Sequence, residues 1–79
     1  MRQALITGGA RGIGWGIASA MLEASYAVTV TGLTPDEIKA VPAREYLHAV
    51  QLDVTSDAQV AALLARFESL DVLVNCAGI

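Results

Sequence analysis

A glycine-rich segment near the amino terminus constrains the fold of this chain more than any other feature. Gly8, Gly12 and Gly14 follow the apolar residues 4–6 and open the amphipathic stretch 13–24. Glycine allows a tight turn out of a strand, leaves room for a pyrophosphate, and lets a helix lie close to the strand. The unpaired N–H groups and the dipole of a helix's first turn also attract anions. The segment therefore predicts a strand, turn and helix that bind dinucleotide phosphates, with a plain structural turn as the alternative.

Hydrophobic periodicity predicts that four strands alternate with helices along the chain. The strands are expected at 3–7, 26–31, 48–52 and 72–74. Helices are expected over 12–25 and from the cap Ser56 to about Ser69. Between the second and third strands, Thr34 is expected to cap a short helix or turn that Pro42 limits.

The apolar residues of the two longer helices predict which faces are buried. In the second, the capping residues 56–59 precede a stripe that includes Phe67. In the first, Trp15 lies off the expected buried stripe. That stripe consists of Ile13, Ile17, Met21 and Leu22.

Strands that alternate with helices predict parallel pairing through right-handed crossovers, which gives a Rossmann-like open α/β sheet with strand order 3-2-1-4. Hydrophobic residues make up 54% of the chain and charged residues only 16%, as expected of a sheet covered on both faces. Ligands of such sheets bind beyond the carboxyl ends of the strands, where the winding reverses. The segments that we expect to meet there are 7–14, 31–34, 53–55 and 75–79.

Composition and charge exclude several classes of function. The net charge is −3 and the basic residues are scattered, so no basic surface for a nucleic acid is expected. No apolar run approaches the ~20 residues of a membrane span and no signal-peptide pattern precedes the first strand, so we expect a cytoplasmic protein. Cys76 and His48 are the only cysteine and histidine, which excludes an internal disulfide and a cysteine-based metal cluster, and neither is assigned a function.

Three stretches together resemble the short-chain dehydrogenase/reductase family. Residues 7–14 (TGGARGIG) match that family's TGxxxGxG, residues 52–55 are LDVT, and residues 75–78 (NCAG) are close to its NNAG, with Cys76 in the second place. Their order and separations also fit, so the resemblance covers essentially all of the chain. Members of the family transfer a hydride between a nicotinamide cofactor and a carbonyl or alcohol.

The resemblance implies that the first stretch shapes the pyrophosphate site. Gly8, Gly12 and Gly14 would form its walls, and the backbone N–H of Ile13 would reach the phosphates.

The resemblance also implies roles for the other two stretches. Asp53 would accept a hydrogen bond from the adenine amino group while the Val54 backbone contacts the ring. The alternative for Asp53 is a solvated carboxylate that only starts a helix. Asn75 would tie the fourth strand to its neighbours, and Ala77 and Gly78 would leave room for the ribose.

The end of the second strand is where dinucleotide-binding proteins choose their cofactor, because an acidic group bonds the 2′-hydroxyl of NAD and a basic group meets the 2′-phosphate of NADP. Gly32 occupies the place of the family's NAD-selecting aspartate, and Leu33 stands where many NADP-preferring members have arginine. Arg11 matches a basic position that those members also use. The resemblance thus implies NADP slightly ahead of NAD, with Asp36 and Glu37 opposing an extra phosphate.

The family's catalytic group is missing from these residues. It consists of a tyrosine, a lysine four residues later and a serine, whereas Tyr26 and Tyr46 are the only tyrosines here and the single lysine, Lys39, follows neither at that spacing. We therefore expect residues 1–79 to be the N-terminal part of an NAD(P)-binding Rossmann domain, inactive by itself and unstable or self-associating through the uncovered strand 72–74. For the parent protein the resemblance implies a homo-oligomer with a small carbonyl or alcohol substrate. A nucleotide sensor without catalysis and a structural subunit are the alternatives.

Overall fold

The computed structural model describes residues 1–77 and shows strands and helices that alternate along this part of the chain. In order, the elements are β1 (Gln3–Thr7), α1 (Gly12–Glu23), β2 (Ala27–Gly32), α2 (Pro35–Ala40), β3 (Leu47–Gln51), α3 (Asp57–Leu64) and β4 (Val72–Asn75). The strands form a parallel sheet in the order β3-β2-β1-β4. This arrangement confirms the predicted α/β class and the open Rossmann-like topology.

The strands at the centre of the sheet are buried on both faces. On one face, Ile6 and Val30 are paired in register and pack with Ala18 of α1. On the other face, Leu5 packs with Leu63 of α3. The helices α1 and α3 therefore cover opposite faces, and the loops at the carboxyl edge of the sheet are left to build a site.

The packing of α1 differs from the predicted stripe in its first turn. Ile13 is 68% exposed, and the buried residues of the helix are the small Gly14 and Ala18. The other members of the predicted stripe and Trp15 are half-buried against the same core. Because α1 begins beyond the end of β1, the side chain of Ile13 lies past the sheet and lines a cleft at its edge.

Two helices are shorter than predicted. Helix α1 ends at Glu23, because Ser25 has a φ of 68°, in the left-handed region that terminates helices. Helix α3 ends at Leu64 instead of near Ser69, and Phe67 packs against the core from the turn that follows. An apolar residue at helical spacing can contact a core from a turn, so periodicity alone does not mark a helix end.

The caps of helices α2 and α3 agree in part with the predicted capping hydrogen bonds. Thr34 forms a complete capping box, in which its Oγ1 accepts from the Glu37 N–H at 3.3 Å and Glu37 Oε2 accepts from the Thr34 N–H at 3.2 Å. Ser56 accepts from the N–H of Gln59 at 3.2 Å. The Gln59 amide oxygen, however, accepts from the Asp53 N–H at 3.0 Å instead of returning to Ser56. The second box is half formed, and its other half holds the loop that contains Asp53.

In the sheet formed by residues 1–77, strand β4 lies at an edge. It pairs with β1, with Ile6 opposite Val74. Leu73 is 56% exposed, because α3 packs over β1 and β3 rather than over β4. At the amino edge, the Gln3 N–H donates to Asp71 Oδ2 at 2.7 Å and the Asp71 N–H donates to the Gln3 carbonyl oxygen at 3.0 Å. This pair of bonds joins the start of β1 to the start of β4.

Candidate functional site

A cleft of about 640 Å³ lies at the carboxyl edge of the sheet. It is bordered by the turn after β1, the end of β2, the loop after β3 and the segment after β4, the four places where the predicted segments were expected to meet. Asn75 is the last residue of β4, beside the cleft, and Gly78 falls outside the described residues. The predicted site residues that line the cleft are Gly8, Arg11, Gly12, Ile13, Gly14, Gly32, Leu33, Asp53, Val54 and Ala77.

The turn after β1 is held by Thr31, which the sequence interpretation treated only as a strand former. Gly8 has a φ of 68°, and a Cβ there would lie 2.9 Å from the backbone nitrogen of Ala77, so the turn requires glycine. The Gly8 N–H donates to Thr31 Oγ1 at 3.1 Å, and the Ala10 N–H donates to the Thr31 carbonyl oxygen at 3.3 Å. Thr31 is 1% exposed. The sequence feature that could have indicated this contact is a threonine at the carboxyl end of β2, the strand that pairs with β1.

Gly14 and Gly12 open the site in different ways. A Cβ on Gly14 would overlap the carbonyl oxygen of Gly8 and lie 2.9 Å from Gly9 Cα, so the bare backbone lets α1 approach the turn. Gly12 has a φ of 62°, and a Cβ there would meet no atom within 4 Å. The backbone of Gly12 therefore borders open space in the cleft.

The N-terminus of α1 is not compensated by a side chain. Its N-cap residue, Arg11, makes no side-chain cap hydrogen bond, and its first turn contains no acidic residue. Helices α2 and α3 each have a capping side chain and an acidic residue in the first turn. Within residues 1–77, α1 is thus the one helix whose N-terminal N–H groups and dipole lack such a partner. Its first turn lines the cleft, where an anion could satisfy them.

Asp53 lies in a local turn after β3 and lines the same cleft. Its Oδ1 accepts from Thr55 Oγ1 at 2.6 Å and from the Thr55 N–H at 2.9 Å. These two hydrogen bonds, the side-chain bond first, lower the pKa of Asp53 below its usual value. Both of them are to Oδ1, so Oδ2 keeps acceptor capacity for another donor. Asp53 therefore forms a local turn before α3 and still has an acceptor for an amino group.

Asn75 joins the carboxyl ends of β1 and β4 beside the cleft. Thr7 Oγ1 donates to Asn75 Oδ1 at 2.6 Å, and the Cys76 N–H donates to the Thr7 carbonyl oxygen at 3.0 Å. These bonds set the path of the chain as it leaves β4 and brings Ala77 beside Gly8.

The end of β2 is bound by a carboxylate that comes from α2. Glu37 Oε2 accepts from the N–H groups of Leu33 at 2.5 Å and Thr34 at 3.2 Å. Its Oε1 lies 3.1 Å from Arg11 Nε, and in this ion pair Glu37 is 20% exposed and Arg11 81% exposed. The hydrogen bonds from Leu33 and Thr34, and then the charge of Arg11, lower the pKa of Glu37 below its usual value. Gly32 provides the necessary room, since a Cβ there would lie 3.0 Å from Glu37 Cβ.

The two tyrosines lie away from this cleft. Tyr26 and Tyr46 border a separate depression near the amino ends of the strands. Among residues 1–77, no group of three or more histidine, cysteine and acidic side chains is placed to hold a metal ion. No helix in the same part of the chain is both long and apolar enough to cross a membrane.

The fold and the cleft define a class of protein. An open parallel α/β sheet with a glycine-rich turn and a helix N-terminus at its carboxyl edge is the architecture of dinucleotide-binding domains. The sequence profile of the family described as short chain dehydrogenase matches residues 2–79. The chain belongs to the short-chain dehydrogenase/reductase family, as its three motifs predicted.

Individual relatives agree with this assignment. An uncharacterized oxidoreductase of Staphylococcus haemolyticus is 34% identical, over 99% of this chain and 37% of its own length. The solved structure of a short chain dehydrogenase/reductase family protein has a TM-score of 0.89 at 35% identity and covers 99% of this chain and 34% of its own. A Pseudomonas aeruginosa RhlG/NADP active-site complex has a TM-score of 0.77 at 34% identity, with 99% and 35% covered. The chain thus spans about a third of the length of the relatives that it matches.

Proposed function

We propose that the protein that carries this chain is an NAD(P)-dependent oxidoreductase, and that it transfers a hydride between the nicotinamide and a small carbonyl or alcohol substrate. Residues 1–79 would form the part of its Rossmann domain that binds the pyrophosphate, the adenine and the adenosine ribose. The observation that carries this proposal is the uncompensated N-terminus of α1, which faces a cleft bordered by bare glycine backbone. Family membership supports the class of enzyme.

The turn after β1 fits a pyrophosphate. The open space beside Gly12 leaves room for the phosphates, and the N–H of Ile13 belongs to the uncompensated first turn of α1. Backbone N–H groups bind a dianion without the desolvation of a buried cationic side chain. The Thr31 hydroxyl fixes the turn through Gly8, so the site would be formed before the cofactor binds.

The adenine would lie on the β3 side of this turn and the nicotinamide on the β4 side. Asp53 would accept from the adenine amino group through Oδ2, with the Val54 backbone against the ring. Ala77 and Gly78 would leave room for the ribose, on a path set by Asn75. When bound, the nicotinamide ring supplies the hydride donor or acceptor, while the residues of this chain orient the cofactor.

The remaining parts of the function are predictions about the whole protein. The tyrosine, lysine and serine that handle the substrate proton would come from residues other than these 79. Homo-oligomerisation and a cytoplasmic location stay predictions. The cofactor would be NADP or NAD, and the leaning towards NADP expected from Arg11 is untested.

Calorimetric titration of the full-length protein with NADH and NADPH tests the proposal. In the Gly12→Ala variant a methyl group would occupy the open space in the cleft, and because no protein atom lies within 4 Å of it the fold bears only about 1–2 kcal/mol of left-handed strain. We expect cofactor binding to weaken at least about tenfold, or about 1.4 kcal/mol, because the methyl group would occupy space beside the N–H groups of the first turn of α1. Gly16→Ala is the matched control, because Gly16 is an exposed residue of the same helix with equally open surroundings.

Three outcomes bear on the proposal. Selective loss of binding in Gly12→Ala supports it. Unchanged binding in that variant, or no binding by the folded wild-type protein, contradicts it. Binding without turnover of any carbonyl or alcohol would favour the nucleotide sensor over the enzyme.

A further inference from the structure

Gly32 lacks the acidic side chain that commonly bonds the adenosine ribose, yet a carboxylate from another residue lies beside it at the end of β2. It belongs to Glu37, which approaches the end of β2 from the first turn of α2 and lines the same cleft as Gly12 and Asp53. The approach depends on Gly32, because a Cβ at that position would lie 3.0 Å from Glu37 Cβ and 3.1 Å from its Oε2. An acidic residue at position 32 would therefore crowd Glu37 and push it from its observed position by a few tenths of an ångström.

We propose that the Glu37 carboxylate replaces the missing acid at position 32, accepts a hydrogen bond from the ribose 2′-hydroxyl, and makes the site select NAD(H) against NADP(H). The proposal rests on the dinucleotide site proposed above. It favours the cofactor opposite to the one that Arg11 and Gly32 were expected to prefer.

The acceptor capacity of Glu37 fits this role. A carboxylate offers about four lone-pair directions. Glu37 uses two of them on Oε2, for the N–H groups of Leu33 and Thr34, and one on Oε1, for Arg11. One direction on Oε1 therefore stays available for a hydroxyl donor at the edge of the cleft.

The charge of Glu37 opposes a 2′-phosphate. Its hydrogen bonds hold the pKa low, so the carboxylate is ionised at neutral pH and would repel a phosphate of about −1.5 to −2 charges. Arg11, the cation expected to meet that phosphate, already pairs with Glu37 at 3.1 Å. A 2′-phosphate would have to compete with Glu37 for Arg11 and also displace a carboxylate held by two backbone N–H groups.

Equilibrium binding of NADH and NADPH to the full-length protein, measured by calorimetry, tests the proposal. The test variant is Glu37→Gln, which removes the charge but keeps a residue able to complete a capping box with Thr34. The control is Asp36→Asn, which removes the same charge from an exposed neighbour in the same helical turn. We expect the wild-type protein to bind NADH at least about tenfold more tightly than NADPH, and Glu37→Gln to reduce that ratio by about tenfold, mainly through tighter NADPH binding. Asp36→Asn should change the ratio by less than about threefold, because an exposed and unpaired charge is screened.

The ionic strength gives a second readout. The difference between wild type and Glu37→Gln in NADPH affinity should shrink as salt is raised, because it comes from charge repulsion. Tighter binding of NADPH than NADH by the wild-type protein overturns the proposal, whether or not the variant folds. An unchanged ratio in folded Glu37→Gln also overturns it, while the dinucleotide site itself stands. If neither cofactor binds the folded wild-type protein, the proposed function fails, and this inference fails with it.

Discussion

The close approach of α1 to the glycine turn predicts opposite effects for one substitution made at two places in the same helix. In Gly14→Ala, the new Cβ would overlap the Gly8 carbonyl oxygen and lie 2.9 Å from Gly9 Cα. These are backbone atoms of a turn that Thr31 holds, so they cannot move aside as a flexible side chain would. Overpacking of this kind costs about 1–3 kcal/mol, which the higher helix propensity of alanine offsets by up to about 1 kcal/mol. In Gly16→Ala, the Cβ meets no atom within 4 Å, so the gain in propensity remains.

We therefore expect Gly14→Ala to destabilise the protein by up to about 3 kcal/mol and Gly16→Ala to stabilise it by about 0.5–1 kcal/mol. For a protein of about 150–250 residues this corresponds to a melting temperature lower by up to about 12 °C in the first variant and higher by up to about 4 °C in the second. Thermal unfolding followed by circular dichroism measures both, and cofactor titration should show weaker binding in Gly14→Ala alone. If Gly14→Ala melts at or above the temperature of Gly16→Ala, the close packing of α1 against the turn is not what requires glycine.

Three further predictions concern separate contacts. Thr31→Val keeps the shape of the buried side chain but leaves the Gly8 N–H without its acceptor, so urea denaturation should show a loss of about 1–3 kcal/mol; a loss below the error of the measurement would mean that Thr31 contributes only its packing. Thr55→Val removes the hydrogen bond that lowers the pKa of Asp53 most, so NMR titration should place that pKa higher and nearer its usual value. A lowered pKa stabilises the fold above the unfolded value of 3.8, and this stabilisation is lost as the pH falls through the folded value. The variant should therefore lose less stability on acidification than the wild-type protein. The isolated residues 1–79 should self-associate in analytical ultracentrifugation and do so less as Leu73→Lys, since Leu73 is 56% exposed on an edge strand; a wild-type monomer with concentration-independent, reversible unfolding would contradict this.

The sequence predicted the order of elements and the sheet because the physical signals there are local and agree with one another. The strand bounds lie within one residue of the prediction, since β-branched runs end at glycines and polar residues. The buried face of α1 was predicted less well. Its fully buried residues are Gly14 and Ala18, which carry little hydrophobic signal, while Ile13 lies beyond the sheet and is exposed.

The positions of the candidate site residues were predictable, but their partners were not. Glycine spacing located the turn, and the alternation of elements placed four segments at one edge. The contact of Thr31 with Gly8 joins residues of neighbouring elements, and no pattern along one element specifies which polar groups will meet across two. The pairing of Arg11 with Glu37 is of the same kind.

The hydrogen bonds between Gln3 and Asp71 connect positions 68 residues apart, although β1 lies in the interior of the sheet. As the ribosome synthesises the chain from its amino terminus, β1 and β2 can pair as soon as residue 32 has emerged. The other side of β1 must stay open until residues 71–75 follow. A nascent chain of this protein therefore passes through a stage in which one edge of the buried strand β1 is unpaired, and during that stage it is most in need of a chaperone and most prone to aggregate.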